Sequence, residues 1–183
     1  MIDAERFLSV VGRGDAPHHG DGGPSPDRSD AEETLDMCRE AALRLLDAAA
    51  RPSGALRGRL LDKGYDTDTV DEVIIRLTRV GLLDDRAYAE SAVRYCVGRC
   101  MGRRGTVAEL VRKGVDRGLA ETVAAQAEQC GMFEESAWEL GRRYARKTVG
   151  LETAVRRRRF WSAGGRKGHD PGVLRRVAEE LLP

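Results

Sequence analysis

Residues 81–105, GLLDDRAYAESAVRYCVGRCMGRRG, bring together three kinds of side chain that could do chemistry: adjacent aspartates, a cysteine pair and arginines set among glycines. The first kind, Asp84 and Asp85, could act as a carboxylate pair in acid–base catalysis, but such a pair also needs a pocket and a further partner. The two residues stand between predicted helices, where one carboxylate can cap the next helix and the other can interact with its positive end. We therefore predict that both aspartates are structural.

The cysteines of this stretch, Cys96 and Cys100, are four residues apart and so share one face of a predicted helix with Ala89, Ala92 and Val93. That face is apolar, and a free thiol packs there like a small hydrophobic group. A zinc site would need two more ligands at a recognisable spacing, and a nucleophilic thiol would need a histidine base. The sequence shows neither pattern, so we predict core cysteines and expect no metal site, no catalytic site and no cofactor.

The arginines of the stretch flank Gly98, Gly102 and Gly105, with no acidic residue between Glu90 and Glu109; they are Arg94, Arg99, Arg103 and Arg104. A basic segment that is rich in glycine allows a guanidinium and the backbone to approach a phosphate or an acidic surface closely. The same arginines could instead be solvated cations at the C-terminal end of a helix, where they complement the helix dipole. The sequence leaves both interpretations open.

The composition favours helices, because aromatic residues make up only 5% of the chain and charged residues 33%. No apolar stretch approaches the roughly 20 residues that are needed to span a bilayer. The four cysteines are expected to be reduced thiols. These features predict a cytoplasmic protein that does not bind membranes.

Charge is distributed unevenly: residues 1–36 have a net charge of −6, whereas residues 37–183 have a net charge of +7. Residues 142–167 contain ten basic residues and one acid, which indicates a polyanionic partner. Residues 1–33 are acidic, with Gly, Pro, Asp and Ser in place of apolar periodicity, and are predicted to form a disordered leader. Its adjacent His18 and His19 are not expected to bind a metal.

The chain repeats itself, since a Lys-Gly pair occurs at 63–64, 113–114 and 167–168, each after a helical stretch. Each glycine suits the left-handed position after a helix, and each lysine suits the last helical turn. Polar residues then start the next helix; we predict Asp68, Asp116 and Asp170 in this role. The first helix is predicted over Thr34 to Ala50, before Pro52, with Ser53 as the cap of the next helix.

The predicted fold is an all-α tandem array of three three-helix repeats, elongated and curved, behind the disordered N-terminal leader. The second and third repeats are predicted to open with helices from Asp85 to about Met101 and from Phe133 to about Lys147. The predicted boundaries are 1–33 for the leader, 34–83 and 84–131 for the first two repeats, and 132–183 for the basic third repeat.

The third repeat contains four consecutive arginines, Arg156 to Arg159, followed by Phe160 and Trp161. Four successive helical residues sweep about 300°, so these arginines cannot all face one partner and at least one is expected along the packing side. The two aromatic residues could stack on unpaired bases, but they are predicted to anchor the core of the repeat.

The ordered set of motifs from residue 38 to 182 resembles the RecX family of bacterial regulatory proteins. It runs from ALRLLDAAARPSGALRGRLLDKGYDTDTVDEVIIRLTRVGLLDDRAYAESAVR through GRRGTVAELVRKGV to HDPGVLRRVAEELL. The third repeat departs from the family pattern, with Gly164 and Gly165 in place of larger residues and His169 in place of an aromatic residue. Because interior glycines cost about 1 kcal/mol each relative to alanine, we expect that helix to be short or frayed.

The resemblance implies a non-enzymatic protein that binds the RecA recombinase and its filament on single-stranded DNA. Family members are understood to lie in the helical groove of the filament and to inhibit its growth, ATP hydrolysis and strand exchange, which affects DNA repair and the SOS response. The chain is expected to be a monomer that binds single- or double-stranded DNA weakly. The residues predicted to contact RecA or DNA are Arg94, Arg99, Arg103, Arg104, Arg112, Lys113, Arg142, Arg143, Arg146, Lys147, Arg156, Arg157, Arg158, Arg159, Arg166 and Lys167.

Two other functions compete with this one. A general DNA-binding protein that acts through electrostatics alone is the main alternative, although acids interleaved in the first two repeats predict only modest, salt-dependent binding of free DNA. An enzyme is not favoured, because the sequence has no P-loop, no dinucleotide fingerprint and no HExxH motif.

Overall fold

The computed structural model describes residues 26–183, with side chains from Asp30 onward. All regular secondary structure within that range is helical, as predicted. None of its helices combines the length and apolar character that crossing a bilayer requires. The helices are α1 (Pro26–Ala48), α2 (Ser53–Leu61), α3 (Thr67–Arg79), α4 (Asp85–Gly98), α5 (Arg103–Arg112), α6 (Arg117–Gln129), α7 (Met132–Lys147), α8 (Thr153–Arg166) and α9 (Pro171–Leu181).

The first helix begins earlier than the sequence pattern indicated. It was predicted from Thr34, inside a boundary at residue 33, but α1 begins at Pro26, so residues 26–33 of the predicted leader are helical. Proline is favoured at the first helical position, since its missing N–H has no helical partner there. The Thr34 hydroxyl donates to the Asp30 carbonyl at 2.8 Å, as a residue within a helix does. The rest of the predicted leader, including His18 and His19, lies outside the described residues.

The described helices belong to two compact units, and the first consists of the chain up to Ala49 together with Arg57–Leu83. In this unit α1 packs against α3. An ion pair between Arg57 Nε and Asp71 Oδ1, 2.7 Å apart, links α2 to α3. The buried hydrophobic residues of the unit are Cys38, Ala42, Leu60, Val70, Val73, Leu77 and Leu83.

The second unit consists of Ala50–Leu56 and Asp84–Pro183. Its core forms two clusters, one among α4, α5 and α6 and the other among α7, α8 and α9. Phe133 at the start of α7 joins the first cluster, and Cys100 joins the second. The predicted second and third repeats are therefore bound to each other by side chains that cross between their cores.

The predicted Lys-Gly turns are present in both units. Gly64, Gly114 and Gly168 have φ angles of 93°, 95° and 77°, the left-handed conformation that glycine adopts without penalty. Asp116 and Asp170 cap the helices that follow, each accepting a hydrogen bond from a backbone N–H three residues on. The prediction for the first repeat was wrong by two residues, because the cap is Asp66, whose carboxylate accepts from Thr69 N at 2.9 Å, while Asp68 lies in the first turn.

The glycines of the second unit also allow adjacent repeats to approach closely. A Cβ atom on Gly54, at the start of α2, would lie 2.4 Å from the Gly114 carbonyl oxygen. A Cβ on Gly105, at the start of α5, would lie 2.2 Å from the Lys167 carbonyl oxygen. The start of α2 therefore packs directly against the backbone of the second Lys-Gly turn, and the start of α5 packs against that of the third. By contrast, a Cβ on Gly64 would meet no atom within 4 Å.

Candidate interaction surface

The aspartate pair is used by the fold, as predicted, but in a different way for each residue. Asp84 caps α4, with its carboxylate accepting from Ala87 N at 2.8 Å. Asp85 does not simply meet the positive end of its helix, because its carboxylate accepts from the backbone N–H of Ser53 at 2.7 Å and from the Ser53 hydroxyl. Ser53 is the first residue of α2 rather than its predicted cap, and it binds Asp85 of the next repeat. Ser53 and Asp85 are 32 positions apart, so helical periodicity in the sequence could not predict their contact.

The cysteine pair is buried, as predicted, but the two residues do not share one helix face. Cys96 lies in α4 and is 1% exposed, and its burial, together with the charge of Glu109, raises the pKa of its thiol. The helix ends at Gly98, and Cys100 follows it with a φ of 55°, in the left-handed region. The Cys100 thiol thereby enters the core of the third repeat. No group of metal-binding side chains occurs among residues whose side chains are described.

The glycine-rich basic segment after the cysteines packs against protein backbone. Gly102 N donates to the Lys167 carbonyl at 2.9 Å, and Arg104 N donates to the Gly168 carbonyl at 3.2 Å. The Arg104 guanidinium also donates to the His169 carbonyl at 3.2 Å. Gly102 and Gly105 are therefore required for contact between repeats, whereas a Cβ on Gly98 would meet no atom within 4 Å. The space that a phosphate would need at the backbone of Gly102 and Gly105 is occupied.

Many of the predicted contact cations are neutralised by a neighbouring carboxylate. Glu109 binds Arg112, and this hydrogen bond lowers the pKa of the Glu109 carboxyl. Hydrogen bonds from Arg143 and Arg142 lower the pKa of Glu139 in the same way, so both acids stay ionised. The cations within 4.0 Å of a carboxylate oxygen are Arg103, Arg112, Lys113, Arg142, Arg143 and Arg146.

The other predicted contact cations have no carboxylate of the described residues within salt-bridge distance. Some of these are held by other groups: Lys167 Nζ donates to the Arg99 carbonyl at 2.6 Å, and the Arg99 guanidinium stacks over the Tyr95 ring, 5.6 Å from its centroid. The whole set is Arg94, Arg99, Arg104, Lys147, Arg156, Arg157, Arg158, Arg159, Arg166 and Lys167.

The four consecutive arginines divide by helix geometry, as predicted. Arg157 lies on the packing side, where its Nε donates to the Leu182 carbonyl at 2.8 Å. Arg156 Nε donates to the Thr148 hydroxyl oxygen at 3.4 Å. Arg158 and Arg159 are exposed and make no hydrogen bond or ion pair with any described residue. Only these two of the four are therefore available to a partner without the loss of an existing contact.

The aromatic residues after the arginines also divide. Phe160 is fully buried and meets the Tyr144 ring edge to face, with centroids 6.2 Å apart, which confirms its predicted place in the core. Trp161 is 36% exposed, so the prediction that it anchors the core is wrong.

The helix that carries these residues is neither short nor frayed, because α8 continues through both glycines to Arg166. Gly164 leaves room for Leu174, whose methyl groups would lie 2.6 Å from a Cβ at this position. Gly165 faces open space. His169, just beyond the helix, is 2% exposed and its Nε2 lies 3.0 Å from the Cys100 carbonyl oxygen, so it links the third repeat to the end of α4.

Arg158 and Arg159 line a cleft of about 370 Å³ between α7 and α8, hereafter the basic cleft. Lys147 and Arg166 line it as well. Sequence reasoning included these four cations among sixteen candidates but did not single them out. It missed the hydroxyl-bearing residues of the cleft, Tyr144, Thr148 and Ser162. The spacing of 158, 162 and 166 was a signal that could have found one wall, since residues four apart share a helix face.

Comparison with known proteins places these features in a family. Residues 38–77 match the family description "RecX, first three-helix domain", and residues 84–123 match "RecX, second three-helix domain". The regulatory protein RecX of Streptomyces lividans is 32% identical over 151 residues, which cover 82% of this chain and 80% of that protein. That of Thermobifida fusca is 32% identical over 164 residues, covering 87% and 86%.

The fold is shared with a solved structure. The crystal structure of RecX from Lactobacillus salivarius matches 82% of this chain and 97% of its own with a TM-score of 0.73, at 21% sequence identity. Since the sequence relatives also match along four-fifths or more of both chains, this chain belongs to the RecX family of regulatory proteins.

Proposed function

We propose that this chain is a non-enzymatic regulator of the RecA recombinase that binds RecA and its filament on single-stranded DNA. In this role it lies in the helical groove of the filament and inhibits filament growth, ATP hydrolysis and strand exchange. It would do so as a cytoplasmic monomer and thereby modulate homologous recombination, DNA repair and the SOS response. The observation that carries the proposal is the match to regulatory RecX proteins along most of both chains.

The roles of the reactive side chains support a binding protein. The aspartate pair caps one helix and joins another, and both cysteines of residues 81–105 are buried in the core. The raised pKa of Cys96 keeps its thiol protonated and unreactive near neutral pH. The groups in this stretch that could have done chemistry therefore maintain the fold.

The distribution of unpaired cations supports a polyanionic surface as the partner. Seven of the ten predicted contact cations that lack a carboxylate lie between Lys147 and Lys167, in α7, α8 and the turn after α8. Such cations can bind phosphates or carboxylates without first breaking an ion pair. Three of the cations that are paired, Arg142, Arg143 and Arg146, share Glu139 and are less available.

The proposal is tested by titrating the chain into RecA that is hydrolysing ATP on single-stranded DNA. We expect inhibition at less than one chain per RecA subunit, because a groove-bound regulator opposes the conformational cycling of several neighbouring subunits. Strand exchange should be inhibited over the same range. Unchanged ATP hydrolysis at equimolar chain would refute the proposal.

The same assay separates the main alternative, a general electrostatic DNA-binding protein. Such a protein inhibits by occupying free DNA, so its effect should disappear when single-stranded DNA is added in excess over RecA. A filament regulator should continue to inhibit in excess DNA. Inhibition that is fully reversed by DNA would favour the alternative, which the basic cleft also supports.

A further inference from the structure

The basic cleft has the properties of a preformed phosphate site. Lys147 lies at the end of α7, while Arg158, Arg159 and Arg166 come from α8, so two helices contribute cations to one cavity. None of the four has a carboxylate of the described residues within salt-bridge distance, although all three arginines of the preceding helix do. Four uncompensated cations around about 370 Å³ repel one another, and an anion that binds there relieves this repulsion.

The number and type of donors favour a phosphate over a carboxylate. A phosphodiester offers oxygens in several directions, and an arginine fork binds two of them at once. Tyr144 and Ser162 add hydroxyl groups to the cleft lining, and Ser162 already accepts from Arg166. A single phosphodiester, like a single carboxylate, has one negative charge and two charged oxygens, but the successive phosphates of a strand can supply further charge to the four cations. The negative end of the α7 dipole lies nearby, but about half an elementary charge is small beside four cations.

An exposed aromatic residue on α8, one turn from the cleft-lining Arg158, favours a nucleotide as the source of the phosphate. Trp161 follows Arg158 by three residues on α8, so the two side chains are neighbours on the helix surface. The Trp161 side chain is 36% exposed, whereas the adjacent Phe160 is fully buried. A base attached to a phosphate in the cleft could stack on this ring, as unpaired bases do in single-strand binders.

We propose that the basic cleft between α7 and α8 binds a backbone phosphate of single-stranded nucleic acid and that Trp161 stacks on an adjacent base. This inference rests on the proposed function in one respect: it identifies the part of the chain that would contact the single-stranded DNA of the RecA filament. The binding itself is a property of the free protein and can be measured without RecA.

The test is fluorescence titration of the full chain with a short labelled oligodeoxythymidine over a range of salt concentrations. In the variant Arg158→Gln with Arg159→Gln, we expect binding to weaken by about tenfold or more. The slope of log affinity against log salt should become less steep by about 1.4, since each lost phosphate contact on a single strand contributes about 0.7. The matched control is Arg142→Gln with Arg143→Gln, which removes the same charge from cations that Glu139 already holds.

The control should weaken binding by less than threefold, with little change in slope, because it alters only the long-range field. Equal losses in the two double variants would overturn the proposal and indicate a diffuse electrostatic surface. Trp161→Ala should weaken binding by about tenfold, whereas Trp161→Phe should retain most of it, because base stacking requires an aromatic face. Equal binding by these two variants would overturn the stacking part.

Competition identifies the source of the anion. Thymidine monophosphate or poly-glutamate is added to the preformed complex of the chain with the oligonucleotide. If the oligonucleotide is displaced only at a large excess of either competitor, the cleft binds a nucleic-acid strand, as proposed. If the monophosphate displaces the oligonucleotide at a comparable phosphate concentration, the proposal of a nucleic-acid strand is overturned and the cleft is a site for free nucleotides. Equally effective poly-glutamate would assign it to an acidic protein segment.

The RecA assay is then repeated with the same variants, which separates the two proposals. If Arg158→Gln with Arg159→Gln loses oligonucleotide binding but still inhibits ATP hydrolysis, the cleft is confirmed and the regulator acts through other contacts. If the wild-type chain binds the oligonucleotide as described but does not affect RecA, the proposed function fails and the cleft remains.

Discussion

The substitution Gly105→Ala tests whether backbone contact between repeats holds the second unit together. A Cβ at this position would lie 2.2 Å from the Lys167 carbonyl oxygen, which is 1.2 Å short of the 3.4 Å where ordinary contact begins. The obstacle is backbone rather than a flexible side chain, so α5 and the third Lys-Gly turn must move apart. The movement stretches the hydrogen bonds from Gly102 N to Lys167 O and from Arg104 N to Gly168 O.

The magnitude follows from these contacts. Two backbone hydrogen bonds contribute about 1 kcal/mol each, and forcing extra volume into a packed contact costs about 1–3 kcal/mol. Alanine recovers about 1 kcal/mol because it is a better helix former than glycine. We therefore expect Gly105→Ala to lower the free energy of unfolding of the second unit by about 2–4 kcal/mol.

The assay is urea denaturation followed by tryptophan fluorescence. The chain has two tryptophans, Trp138 and Trp161, and both belong to the second unit, so their emission reports on that unit alone. The matched control is Gly165→Ala, where the new Cβ meets no atom within 4 Å. The control should raise the free energy of unfolding by up to about 1 kcal/mol. A Gly105→Ala protein that is as stable as the control would refute the close backbone contact.

Three further predictions concern residues that the sequence singled out. Cys96→Ala with Cys100→Ala should lower the free energy of unfolding, because both thiols are buried in cores. RecA inhibition and oligonucleotide binding should be unchanged. Loss of a metal-dependent activity would contradict the core role of the two cysteines. Burial is the main cause that lowers the pKa of His169 in the folded chain. Below a pH of about 6.5, the unfolded chain therefore takes up a proton on this histidine that the folded chain does not. The free energy of unfolding should accordingly fall as the pH falls. His169→Val should remove that part of the pH dependence in denaturation curves, and an unchanged slope would contradict it. Asp85→Asn should lower the stability of the second unit by about 1–2 kcal/mol, because the charged acceptor of the Ser53 N–H and hydroxyl is lost. The loss should be smaller in a Ser53→Ala background, where only the N–H donor remains, and an equal loss would contradict the hydroxyl contact.

The local features of the chain were predictable because they depend on neighbouring residues. The left-handed glycines after the Lys-Gly pairs, the caps at Asp116 and Asp170, and the division of Arg156 to Arg159 around a helix all follow from preferences that act within four or five positions. The start of α1 was misplaced because its first eight residues, 26–33, are mostly acidic or polar and show no apolar periodicity.

The candidate site depended on contacts that periodicity does not record. Ser53 meets Asp85 across 32 positions, Arg104 meets His169 across 65, and Lys167 meets Arg99 across 68. Such contacts determine at which glycines a side chain would clash and which side chains are held by hydrogen bonds to distant backbone. The sequence alone identified a basic helical repeat protein that resembles RecX proteins. The ion pairs of Glu109 and Glu139 lie within one helix, three or four residues apart, so sequence spacing can identify them. Only the tertiary structure brought Lys147 of α7 together with Arg158, Arg159 and Arg166 of α8 at the basic cleft, because the packing of the two helices decides which of their charges meet.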